Sequence, residues 1–179
     1  MSSAIRSSVA LHSRKLVAAL AICAATSVTP AFAAVNAYLF LDGVDGPSTS
    51  RAHAIDVLSF SVGVSNPDPA KLQKAACSNL SIMKVLDKTS PVLFQAALAG
   101  RPFATAVLAY DKPVGDKQLT YFTLTLENAL LTSVQESGSN ENPTESVSLK
   151  ASTMTLSYRP QKDDGSLGDA VVTKLDCSN

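Results

Sequence analysis

The chain has 179 residues, and its 15 Lys and Arg residues balance its 15 Asp and Glu residues, so it carries no formal net charge at pH 7. A chain without a basic excess or a basic run is a poor candidate for binding nucleic acid or an anionic membrane surface. Its frequent Val, Leu, Thr and Ser, with scattered Pro and Asn, favour an all-β domain.

Residues 1–33 have the order of a bacterial secretory signal peptide. A basic start is followed by an apolar run at 16–25 and by an Ala-Phe-Ala ending. The alternative is a membrane anchor, but the run is about half of the ~20 residues that a spanning helix needs. We therefore expect cleavage between Ala33 and Ala34, which would leave a mature domain of residues 34–179 in the periplasm or outside the cell.

The predicted cleavage changes both the charge and the cysteine count. The mature domain would keep 12 basic and 15 acidic residues, a net charge of −3, and the pair Cys77 and Cys177. In an oxidising compartment this pair favours a disulfide, although two unrelated thiols are the alternative. The bond would close a long loop and stabilise the fold by roughly 4 kcal/mol on chain-entropy grounds.

No metal site or other cofactor is predicted. The one histidine of the mature domain, His53, and its two cysteines match no spacing of metal ligands. The loop at 42–50 contains two aspartates and serines, but it lacks the ligand set and the closing glutamate of a calcium loop.

Alternating hydrophobicity predicts strands at residues 34–41, 53–64 and 80–86. The Pro-rich stretch 66–69 is predicted to be a loop, because a strand cannot cross it. Within the second strand, His53 and Asp56 are three residues apart and would lie on opposite faces. We therefore do not expect them to form a catalytic dyad.

One helix is predicted, at about residues 90–99. Ser90 suits the N-cap, and Pro91 suits the first helical position because it has no N–H to lose. Gly100 can adopt the left-handed conformation that ends a helix. We expect this helix to pack against the core of the β-fold.

The second half of the chain is predicted to contain further strands. They lie at residues 103–110, 119–126 and 147–158, separated by a turn at 111–116 and a loop at 135–143. Tyr121, Thr123 and Thr125 would face outward from the middle strand. The apolar phase slips by one residue after Ala151, which indicates a bulge near Ser152.

Several segments resemble the haemolysin-coregulated protein (Hcp) family, which forms the tube of type VI secretion. They are His-Ala-Ile-Asp-Val-Leu-Ser-Phe-Ser-Val-Gly-Val-Ser at 53–65, Val-Leu-Asp-Lys-Thr-Ser-Pro-Val-Leu at 85–93, Thr-Leu-Thr-Leu-Glu-Asn-Ala-Leu-Leu-Thr-Ser-Val at 123–134, Pro-Thr-Glu-Ser-Val-Ser-Leu at 143–149 and Tyr-Arg-Pro-Gln-Lys at 158–162. Two features depart from the family pattern: the export signal, and a loop at 65–79 that is Pro-rich and contains a cysteine where many members are glycine-rich.

The resemblance implies a two-sheet β-barrel with one flanking α-helix, assembled into six-membered rings that stack into a tube. It carries over no catalytic residue, and no nucleophile elbow, phosphate loop or catalytic carboxylate pair appears in the sequence. Two hypotheses follow: a ring subunit that contacts its own copies and other type VI secretion components, or an exported Hcp-like module that binds a protein or glycan. An enzyme is the third and least supported hypothesis.

Overall fold

The computed structural model describes residues 36–66, 76–114, 117–138 and 142–178. The predicted signal peptide, its cleavage site at Ala33 and Ala34, and most of the predicted loop at 66–69 lie outside these residues. The strands are β1 Asn36–Leu41, β2 Ile55–Val57, β3 Ser59–Ser61, β4 Val64–Ser65, β5 Ala76–Cys77, β6 Leu80–Val85, β7 Phe103–Val114, β8 Lys117–Ser137, β9 Thr144–Lys150, β10 Thr153–Tyr158 and β11 Val171–Asp176, and the helix is α1 Ser90–Ala99.

Nine of the described strands are connected by antiparallel pairing in two layers that share β8. The main order is β2-β1-β7-β8-β9-β6-β3. Outside this path, β10 pairs with β8, and β11 pairs with β10. The first sheet contains β2, β1, β7, the first half of β8, β10 and β11. The second sheet contains the other half of β8 with β9, β6 and β3. The β4–β5 pair forms a separate small hairpin.

The transition between the two sheets occurs in the middle of β8. Asn128 adopts a positive φ of 51°, and the register with β9 shifts between Leu131 and Ser133. On the partner side, Ala151 and Ser152 interrupt the run from β9 to β10. The phase slip predicted near Ser152 therefore corresponds to a break between two strands, and the register shift lies on β8.

The all-β class with one helix is confirmed, but the expected barrel closure is wrong. The pairing path begins at β2 and ends at β3, and these two described strands are not paired with each other. They are consecutive pieces of one segment, in which Leu58 donates its N–H to the Met83 carbonyl at 2.8 Å. The result is a β-sandwich-like fold, because the segment leaves the first sheet and enters the second.

Three predicted boundaries were wrong, one because the chain changes sheets and two because β7 and β8 are longer than their local patterns indicate. The strand expected at 53–64 is divided into three short strands where the chain changes sheets, and His53 lies in a turn with a φ of 63°. Most of the segment expected as a turn at 111–116 belongs to a strand, because β7 continues to Val114 and β8 begins at Lys117. Part of the predicted loop at 135–143 belongs to β8, where cross-strand pairing with β9 overrides the weak local pattern.

The core lies between the two sheets and under the helix. Its fully buried members come from both layers and from α1; among the largest are Leu39, Ile55, Leu80, Ile82, Leu93, Phe103, Leu108, Leu124, Leu126 and Leu149. The helix contributes Leu93 and Ala96, which are three residues apart and so share one face. Its bounds match the prediction, and Gly100 ends it with a φ of 58°.

The predicted capping role of Ser90 was wrong. Ser90 is the first helical residue, and Thr89, at the N-cap position, makes no capping hydrogen bond with its side chain. The Ser90 hydroxyl instead accepts from Lys84 Nζ at 3.0 Å and donates to Glu145 Oε2 at 2.9 Å. It therefore belongs to a buried polar network beneath the start of the helix.

Candidate functional site

Five aromatic side chains surround an open cavity of about 290 Å³ at one end of the sandwich, the aromatic mouth. They are Phe60, Tyr110, Tyr121, Phe122 and Tyr158. Four strands supply them, with β3 from the second sheet facing β7, β8 and β10 of the first. None of the five is fully buried. They therefore lie at the rim of the core, where a ligand or another protein can reach them.

The rings of the aromatic mouth stand mostly at right angles to one another. Tyr121 meets Tyr110 with ring centroids 5.9 Å apart at 84°, and it meets Tyr158 at 6.2 Å and 89°. Partial burial raises the pKa of Tyr121, with smaller contributions from the neighbouring Tyr110 and Tyr158. The Lys112 ammonium lies 5.0 Å from the Tyr121 ring centroid. Aromatic groups that combine a large contact area with a polar hydroxyl are frequent in binding surfaces.

The outer face of the first sheet carries short hydroxyl side chains. Thr123 pairs directly with Ser157, and Thr125 pairs directly with Thr155. All four are partly exposed, while Leu124 and Leu126 on the opposite face of β8 are fully buried. The outward direction predicted for Thr123 and Thr125 is therefore confirmed, whereas Tyr121 belongs to the aromatic mouth.

The second sheet has a matching row of serines across its outer face. Ser61 pairs with Ser81, Ser81 with Ser148, and Ser148 with Ser133, so the row crosses β3, β6, β9 and β8. The Ser81 and Ser148 hydroxyls lie 3.0 Å apart in a hydrogen bond. Both sheets thus present rows of small polar groups, which suit a partly hydrated contact with another protein.

The loop after β1 holds an exposed charged cluster beside a groove of about 640 Å³. His53 Nδ1 lies 2.8 Å from Asp45 Oδ1, and Lys88 Nζ lies 2.7 Å from Asp45 Oδ2. The Lys88 hydrogen bond, followed by the His53 one, lowers the pKa of Asp45. Asp56, which is not expected from the sequence to form a catalytic dyad with His53, accepts a hydrogen bond from the Ser48 hydroxyl at 2.7 Å. The structure therefore does not bring His53 and Asp56 together.

One fully buried ion pair and one partly buried ion pair were not predicted. Lys84 and Glu145 lie directly opposite each other on β6 and β9, both fully buried, with Nζ and Oε2 2.8 Å apart. Asp111, also buried, contacts Arg51 on the outer side of the first sheet at 2.5 Å. The sequence did contain a signal for the first pair. Lys84 follows Leu80 and Ile82 at the next inward position of the strand, where an apolar residue is expected.

The structure joins Cys77 and Cys177 in a disulfide with a Cα–Cα distance of 5.5 Å. This distance lies within the usual range for disulfides. The bond connects β5 of the small hairpin to the residue after β11. Cys177 is buried in the core cluster, and Cys77 packs against it.

Within the described residues, no group of three or more His, Cys, Asp or Glu side chains is placed to hold a metal ion. None of the helices in the same part of the chain has the length and apolar character needed to cross a membrane.

The fold and its surfaces define a class of protein: a β-sandwich with one helix, which presents polar and aromatic surfaces for contact with other molecules. Comparison with known proteins specifies the family. The family described as type VI secretion system effector, Hcp, matches residues 38–158. The chain is 33% identical over 142 residues to protein hcp1 of Pseudomonas aeruginosa, covering 74% of this chain and 88% of that protein. This chain belongs to the Hcp family of type VI secretion.

Solved structures agree with this assignment. A type six secretion system protein superposes with a TM-score of 0.72 at 28% identity, covering 80% of this chain and 96% of the other. Hcp1 from Salmonella typhimurium gives a TM-score of 0.68 at 26% identity, with coverages of 80% and 95%. A type VI secretion system effector from Yersinia pestis, at 24% identity and a TM-score of 0.64, shares the fold.

Proposed function

We propose that this protein is a structural subunit that assembles into a closed, six-membered ring and works in type VI secretion without catalysis of its own. The observation that carries the proposal is the family match, which extends from β1 to the end of β10. The match covers 88% of the length of protein hcp1, which supports transfer of the role of the whole domain.

The outer face of the first sheet supports the assembly. A ring needs a head-to-tail contact between two different surfaces, repeated by a fixed rotation until it closes. Flat rows of Thr and Ser can meet such a partner through short hydrogen bonds and bridging water. Thr123 and Thr125 lie at the centre of this face, between β7 and β10.

The ring is tested by light scattering and electron microscopy on oxidised protein comprising residues 34–179. The expected result is a mass of about six subunits, following the family assembly, and closed rings in the images. A monomer at tens of micromolar would overturn the proposal. The variant Thr125→Arg should dissociate the ring because it places a long cation in the contact, while Gln95→Arg, on the exposed side of α1, should preserve it. Rings that persist in Thr125→Arg would exclude this face as the contact.

We also propose that the protein is exported before it acts, in the periplasm or outside the cell. The support is the signal-peptide pattern of residues 1–33 together with a disulfide that suits an oxidising compartment. Fractionation of cells that express the native gene, followed by detection of the protein in each fraction, tests this. Full-length protein confined to the cytoplasm would refute export and leave the ring proposal standing.

A second candidate function, an exported binding module, is favoured by the aromatic mouth. Tyr and Phe side chains that are partly exposed around a cavity of about 290 Å³ can stack on a sugar ring or a peptide side chain. Titration of the mature protein with soluble fragments of cell-envelope glycan, followed by NMR of the tyrosine ring signals, tests it. Saturable shifts in the wild type, lost in Tyr158→Ala and retained in Leu98→Ala, would favour this function over a purely structural one.

A further inference from the structure

The side chains of the C-terminal strand β11 bury little surface, and its Lys174 makes an exposed ion pair with Glu127 of β8. Val171 and Val172 are 70% and 57% exposed, and of its six residues only Leu175 is partly buried. Among the described strands it pairs only with β10, so its other edge is open. A terminal strand with so little buried surface is expected to detach locally at low free-energy cost.

Cys177, the residue that follows β11, is held both by its backbone and by its side chain. The Cys177 N–H donates to the Ser152 carbonyl at 2.8 Å, and the Cys177 side chain is covalently joined to Cys77. Cys77 lies in the β4–β5 hairpin, 100 residues earlier in the sequence and outside the nine-stranded arrangement. The disulfide therefore attaches the strand to an element with which it forms no backbone ladder.

We propose that the Cys77–Cys177 disulfide is a redox-dependent clamp that keeps β11 on its own β10, and that its reduction allows β11 to exchange onto β10 of a second copy of this chain. Formation of the bond removes one proton and one electron from each thiol. An external disulfide accepts both electrons and both protons and becomes two thiols. An excess of dithiol drives the reverse reaction.

A second copy of β11 is the occupant that fits the vacated edge. When β11 leaves, the backbone groups of β10 that it paired with lose their partners, and unpaired strand edges readily accept another strand. The six pairs from Thr153↔Asp176 to Tyr158↔Val171 specify the register, and every copy carries the same β11 sequence. Twelve residues, 159–170, separate the two strands and can span up to about 40 Å when extended. This length permits the strand to reach a neighbouring copy.

The exchange does not require the proposed ring and can be tested directly, with the disulfide-intact background distinguishing it from contacts within a ring. Thr155 and Lys174 lie opposite each other on β10 and β11, so cysteines at these positions would be close enough to cross-link. One chain carries Thr155→Cys and the other Lys174→Cys, both in a Cys77→Ser/Cys177→Ser background. The two are mixed and mildly oxidised, and a covalent dimer linked between positions 155 and 174 is the expected product. The same single variants with the native disulfide intact serve as the control and should yield none. A dimer with this linkage in both backgrounds, or in neither, overturns the proposal.

Hydrogen exchange measures the release of the strand itself. Wild-type protein is compared in oxidised form and after reduction, together with reduced Cys77→Ser, which retains the buried Cys177 side chain. Reduction should speed exchange of the β10 and β11 amides that pair with each other by at least about tenfold more than exchange of the β1 and β7 amides, whose change reports only the loss of global stability. An equal acceleration in all four strands would show that the bond stabilises the whole fold rather than clamping one strand. That result, or no acceleration in β11, refutes the clamp.

Discussion

Substitution of Lys84 by Met should be among the most destabilising single changes in this protein. The Lys84 ammonium lies 2.8 Å from Glu145 Oε2, 2.9 Å from the Val85 carbonyl and 3.0 Å from the Ser90 hydroxyl. Asp87 Oδ2 lies 3.2 Å from the same ammonium and forms an additional ion pair with it. Methionine has a similar length and no charge, so it removes these contacts with little change in packing volume.

The magnitude follows from what remains after Lys84 is replaced. Glu145 is fully buried, and its Oε1 has no hydrogen-bond partner among the described residues. Removal of one member of a buried ion pair costs about 3–5 kcal/mol because the other charge stays buried without compensation. The Ser90 hydroxyl still donates to Glu145 Oε2. We therefore expect a loss near the lower end, about 3 kcal/mol in the free energy of unfolding.

Urea denaturation followed by far-UV circular dichroism measures this loss, and tyrosine fluorescence is a second probe because the chain contains no Trp. The double variant Lys84→Met/Glu145→Leu should recover most of the lost stability, since neither charge then remains buried. The control Lys117→Met, at an exposed position of β8, should stay within about 0.5 kcal/mol of the wild type. A loss below about 1 kcal/mol for Lys84→Met, or losses that add in the double variant, would refute the reasoning.

Three further predictions concern the charged loop, the disulfide and the N-terminus. Lys88→Met should raise the pKa of Asp45 toward 3.8, as measured by NMR of its carboxyl carbon. Because the wild-type pKa is lowered, the contribution of Asp45 to stability is present above pH 3.8 and is lost as the pH falls through the folded-state pKa. An unchanged pKa would contradict the assigned cause. Reduction of the Cys77–Cys177 bond, which spans 100 residues, should lower the unfolding free energy by up to about 4–5 kcal/mol, measured in urea with and without dithiol. Intact mass of the exported protein should match a chain that begins directly after Ala33, and a mass that retains the leader would disprove the cleavage site.

The elements that the sequence predicts well are those with local determinants. The helix from Ser90 to Ala99 was predicted because a proline near its start and a glycine after its end both act within one turn. The length of β8 was underestimated because its second half is defined by pairing with β9. The strand β11 was missed because both of its faces are largely exposed, which leaves no alternation to detect.

The surfaces required a different kind of information. Each serine of the row on the second sheet is an ordinary outward residue of its own strand, and the row becomes visible only once the register of four strands is known. The aromatic mouth likewise combines residues as distant as Phe60 and Tyr158. By contrast, the disulfide partners could be proposed by counting cysteines, because removal of the signal peptide would leave two.

The buried ion pair and the outer serine row are connected through strand register. Ser81 lies on the outer face of β6 and both Ile82 and Lys84 lie on the inner face, so a slip of one residue against β9 would disrupt the outer pairing of Ser81 with Ser148. The same slip would separate Lys84 from Glu145 and leave each of these charges without its oppositely charged partner. Because an uncompensated buried charge costs several kcal/mol, the pair penalises the wrong register far more than an apolar pair would. We infer that Lys84 and Glu145 keep the outer polar face in order as well as fixing the start of the helix.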